Sequence, residues 1–221
     1  NTLYYPKILR NRCNAATMVS GNGMEHIYHK KGNSWEDRPF YEEICAMGET
    51  DVIRALLSCD AIDMVAVRSQ ENTVIVSGRC GTSAIQETIN GITYRIIEGE
   101  DPFGYEAMPV ELSPNQMLPT TFDTDYPDAP YQLLRIFRSS RAGDLIVSAR
   151  IGFDLRLRHE YPEHRATHGS LHRDHMHVPL FMNAEISAEC VRTVDLFPSM
   201  LNLLGHTVVG DIDGTGFVAA A

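Results

Sequence analysis

Long apolar runs are missing from this 221-residue chain. No stretch approaches the ~18 consecutive apolar residues that cross a bilayer, so no membrane-spanning helix is expected. Basic residues are scarce: 19 Lys and Arg against 29 Asp and Glu leave a formal net charge of −10. That sign repels duplex nucleic acid and anionic lipid, and neither is expected as a partner. Cysteine is sparse too, with five residues at 13, 45, 59, 80 and 190 and no CxxC pair. An odd count without close pairs writes no complete disulfide framework and leans toward a reduced, cytoplasmic compartment. The opening residues from Asn1 carry neither the basic start nor the apolar centre of a signal peptide. The chain reads as processed or incomplete, and any targeting signal would lie upstream of Asn1.

Several catalytic signatures are also missing. There is no HExxH, no Cys pair beside the histidines, no GxGxxG or glycine loop followed by Lys-Ser/Thr, and no GxSxG elbow. These absences exclude a zincin-type protease, a phosphate-cradling nucleotide loop and a serine hydrolase of the elbow type. Asp211 to Gly216 opens like a calcium loop, but no flanking helices or closing Glu are written around it, and it reads as a turn.

What is present fits one α/β domain. Apolar residues make up 43% and charged residues 22%, near the values of soluble globular chains. Short apolar runs bounded by turn residues predict strands at 16–20, 62–68, 73–77, 93–97, 144–149 and 178–182. Helical spacing of apolar residues predicts helices over 49–59 and 129–137. The runs 73–78, 81–85 and 93–98 suggest an accessory antiparallel hairpin region set on a main sheet. Residues 102–130 hold six of the eleven prolines and read as an extended surface connection. Residues 193–204 predict a buried helix with Phe197, Leu201 and Leu204 inward, closed by Gly205.

Six of the nine histidines fall between His159 and His177. Neutral imidazole is the commonest metal ligand and also titrates near neutral pH, so this density suggests metal binding, acid/base chemistry or pH sensing. His168 stands before Gly169, where the backbone can turn sharply and present the ring at a sheet end. His172, His175 and His177 read individually as exposed or bonded to backbone carbonyls. Ser170 reads as a turn residue. His175 or His177 acting as a general base would need an orienting carboxylate. Asp174 is adjacent in sequence, where strand side chains point to opposite faces.

The segments AGDLIVSAR (142–150), THGSLHRDHMHVPLF (167–181) and RTVDLFPSMLNLLG (192–205), in that order, resemble the C-terminal end of the alkaline phosphatase superfamily. Within it they are most similar to the type I phosphodiesterase/nucleotide pyrophosphatase branch. VSGNGMEHIY (19–28), IDMVAVR (62–68) and EGEDPFGY (98–105) look like the middle of such proteins. The likeness covers most of the chain and is most specific over 142–221.

The resemblance implies an alkaline-phosphatase-like three-layer sandwich with a central mixed sheet, of which residues 1–221 form the C-terminal part. It implies hydrolysis of a small phosphate ester (a phosphodiester, nucleotide pyrophosphate or phosphomonoester) by two divalent metal ions, usually zinc, and a Ser or Thr nucleophile. One position maps: His168, in the His-Gly turn, matches a metal ligand. His172, Asp174, His175 and His177 then support or orient the ligand. The nucleophile and the other ligands are expected upstream of Asn1, which leaves this portion inactive alone. The rival expectation is a non-catalytic binding module whose histidine segment responds to zinc or pH.

Overall fold

Residues Ile62–Arg68 alternate so that Met64 and Ala66 face one side while Val65 and Val67 face the other, and all four are buried. A strand apolar on both faces must lie inside a sheet covered on both sides. The computed structural model describes residues 13–156 and 165–218 and has that arrangement. Its strands are β1 (Ala15–Ser20), β2 (Met24–His29), β3 (Ile62–Arg68), β4 (Thr73–Gly78), β5 (Gly81–Glu87), β6 (Ile92–Gly99), β7 (Glu111–Leu112) and β8 (Leu145–Ala149). They form one eight-stranded sheet in the order β1-β2-β8-β3-β4-β5-β6-β7.

Every neighbouring pair of these strands is antiparallel, which corrects the expected mixed sheet. The cause is local: β3 to β6 follow one another through short turns, and a short turn can only reverse the chain. Between β3 and β4, Glu71 and Asn72 both take positive φ (54° and 55°) at the centre of a turn that the Thr73 N–H closes on the Gln70 carbonyl (3.1 Å). The region 73–98 therefore supplies three of the eight strands of the main sheet and is not an accessory to it.

Helices lie on both faces. On one, α1 (Tyr41–Cys45) and α2 (Val52–Leu57) bring Ile44 and Ile53 against Val65, Val67, Leu145 and Val147. On the other, α3 (Pro114–Thr121) and α4 (Ala129–Arg138) bring Met117, Tyr131, Leu133 and Leu134 against β3 to β6. Thus 102–130 is a core-building segment rather than an extended connection. Pro114 and Pro130 occupy first turns, where the missing N–H costs no hydrogen bond. Phe103 and Tyr105 are buried beside Tyr94, with ring centroids 5.3–6.0 Å apart.

Two other expectations fail. Residues 178–182 form no strand: Pro179 has no N–H for a ladder, no described strand pairs with the segment, and Phe181 is 89% exposed. The helix of 193–204 appears as a 3-10 turn (Thr193–Asp195) followed by α6 (Leu196–Leu203), ended by Gly205 at φ 71°. Its buried contacts run through Pro198 and Ser199, while Phe197 and Leu204 are exposed. Ser199 Oγ accepts the Phe217 N–H and donates to the Asp195 carbonyl, so the final segment docks on this polar face. No helix among the described residues is long and apolar enough to cross a membrane.

Candidate functional site at the end of the sheet

Three strands meet at one end of the sheet: β2 begins at Met24 opposite Ser148, and β3 begins at Ile62 opposite Ala149, where β8 stops. Gly21, Asn22 and Gly23 join β1 to β2 in a tight turn, with φ 67° at Gly21 and 64° at Asn22. His168 lies across this turn. Its N–H donates to the Gly21 carbonyl (3.0 Å), and its own carbonyl accepts the Gly23 N–H (2.8 Å). The approach depends on glycine: a Cβ on Gly21 would stand 2.5 Å from His168 Nδ1, and one on Gly169 (φ 101°) 2.8 Å from the Ser20 carbonyl. His168 is thus exposed at the sheet end and fixed through its backbone.

The residues after it turn inward. Leu171 is buried in the core, and its N–H donates to Ser148 Oγ (3.1 Å). Ser170 is 1% exposed, with Oγ 2.7 Å from His175 Nδ1. A hydroxyl this enclosed cannot meet a substrate, so the pair sets the orientation of the imidazole rather than forming a nucleophile. Burial, then the nearby His172 and His168, push His175 below the ordinary histidine range, with Asp174 opposing.

His172 precedes the short helix α5 (Arg173–Met176), where its Nδ1 accepts the Asp174 N–H (3.2 Å). The Asp174 carboxylate lies 3.6 Å from that same Nδ1, so its nearest histidine is His172. His177 stacks on Phe122, with centroids 4.6 Å apart. The expected site residues therefore share one segment but have different neighbours. His159 and His164 lie outside the described residues.

Two contributors escaped the reading of the sequence. Tyr126 meets His172 edge to face (5.7 Å between centroids), and its hydroxyl donates to Asp63 Oδ2 (2.8 Å). Asp63 sits at a register shift between Ile62 and Met64 where β3 pairs with β8, and such a bulge re-aims a side chain. Burial raises the Asp63 carboxyl above its usual range, against the Tyr126 hydrogen bond and the His172 charge, which lower it.

Among the described residues, no group of three or more His, Cys, Asp or Glu is placed to hold a metal ion. A catalytic zinc needs three protein ligands and an open position, so the described residues do not make a complete metal site. All five cysteines are free thiols. No family model, curated protein or solved structure matches the chain.

Proposed function

We propose that this chain is the C-terminal portion of a metal-dependent hydrolase of small phosphoric esters, of the alkaline-phosphatase-like three-layer type, to which it contributes His168 as a ligand. The observation that carries the reading is the placement of His168. His168 is exposed at the sheet end, and its backbone is clamped on the Gly21–Asn22–Gly23 turn, in the one motif that resembles the superfamily's ligand position. His172, Asp174, His175 and His177 shape and support the segment. The nucleophile and the remaining ligands belong to the portion preceding Asn1, and no metal-dependent step is assigned to the described residues. With bound ions, usually zinc in this superfamily, the complete protein would gain charge stabilisation at phosphorus.

This reading expects the purified chain, given zinc and bis(p-nitrophenyl) phosphate, to show no turnover above buffer. Co-expression with its preceding portion should restore it. Steady turnover by the repurified chain alone, or none by the reconstituted protein, contradicts the proposal.

A second reading, the non-catalytic module, draws on the histidines' local contacts. His172 caps α5, His175 meets Ser170 and His177 stacks on Phe122. It expects the chain alone to bind zinc tightly or change shape near neutral pH, which the hydrolase portion does not require.

A further inference from the structure

A cavity of about 650 Å³ opens between α3, α4 and the segments 175–180 and 186–194. Its size falls within the ~300–1,000 Å³ typical of small-molecule sites. Leu118, Phe122, Tyr131, Met176, Val178 and Val191 supply an apolar and aromatic wall. His175 and His177, from the segment that carries His168, also line it.

Both arginines that line the cavity are paired. Arg192 holds Asp128 through two 2.7 Å contacts, Nε to Oδ2 and Nη2 to Oδ1. Arg135 is paired with Asp213. Glu189 is exposed to solvent at the rim. Among the described residues, an anion entering here would find no unpaired arginine or lysine in the lining, whereas an uncharged ring would meet apolar carbon and the stacked Phe122–His177 pair.

We infer that this cavity receives the uncharged aromatic group of a phosphate ester, with the charged phosphate left outside it. The inference rests on the hydrolase reading for the ester and on the cavity itself for the ligand class.

The test uses the metal-free chain and two probes, 1-naphthol and 1-naphthyl phosphate, titrated by naphthalene fluorescence. Saturable 1-naphthol binding is expected, at least as tight as that of the phosphate. Val178→Trp should weaken it about tenfold or more by filling the cavity mouth. Val178 is 71% exposed, so this change does not put folding at stake. The inference is overturned if naphthol does not saturate, if Val178→Trp leaves its affinity unchanged, or if the phosphate binds at least tenfold tighter. Binding is read without turnover, so inactivity of the complete protein would remove the hydrolase reading and leave the ligand class of the cavity standing.

Discussion

His26 illustrates how a single imidazole becomes a fixed structural acceptor. It lies on β2, its Nδ1 accepts the Gly143 N–H at 2.9 Å, and burial lowers its pKa from the ordinary 6.5. Protonating Nδ1 would break that bond, so the folded state binds a proton less readily than the unfolded chain. The stability it contributes is present above 6.5 and is lost as pH falls through the lower folded value. The His26 Cε1–H resonance should therefore titrate with a midpoint below 6.5, and denaturant stability should fall as pH drops below 6.5, less steeply in His26→Gln. A midpoint at or above 6.5 contradicts the assignment. Asp63 follows the same logic with opposite sign, since burial favours its neutral form. Neither group is legible in sequence. The His26 bond spans more than a hundred residues, and the Asp63 bulge exists only because β8 pairs with β3.

Elements were legible where one strand's own residues decided its fate. Ile62–Arg68 agrees with its predicted bounds, and 73–77 and 144–149 with β4 and β8 to within a residue, because these runs are apolar on both faces. Elements whose status depends on partners were misread. Residues 102–130 looked like a linker, yet Pro114 and Pro130 start α3 and α4, and 178–182 looked like a strand yet pairs with no described strand.

The start of α4 depends on such a long-range partner. Asp128 precedes it in the left-handed region (φ 59°), is 1% exposed, and binds Arg192 through both carboxylate oxygens. Arg192 also lies over the Tyr131 ring, 4.2 Å from its centroid. Removing one partner of a buried pair strands the other charge, so Asp128→Ala should destabilise the fold by about 3–5 kcal/mol in denaturant unfolding. A loss below about 1 kcal/mol would mean that the pair behaves as an exposed one.

At the scale of the whole molecule, helices cover the sheet from β8 to β6 on one face or both, while every residue of β1 but Val19 is exposed. His168 sits at the end of this sheet beside the β1–β2 turn, where the proposed hydrolase reading would use its imidazole as one metal ligand. The His-Gly turn was readable because glycine is needed there, at Gly21 as well as Gly169, for the backbones to approach. The local roles of Ser170 and Tyr126 were not, because each depends on a partner that only the fold supplies. The central claim is tested most directly by measuring zinc-dependent phosphodiester turnover in the complete protein for His168→Ala, His172→Ala and His175→Ala. Loss of a metal ligand should exceed the ~10–100-fold typical of a supporting partner. The account predicts the largest loss for His168→Ala, partly rescued by excess zinc, with smaller losses for the other two. Equal losses in all three, or an unaffected His168→Ala, would contradict it.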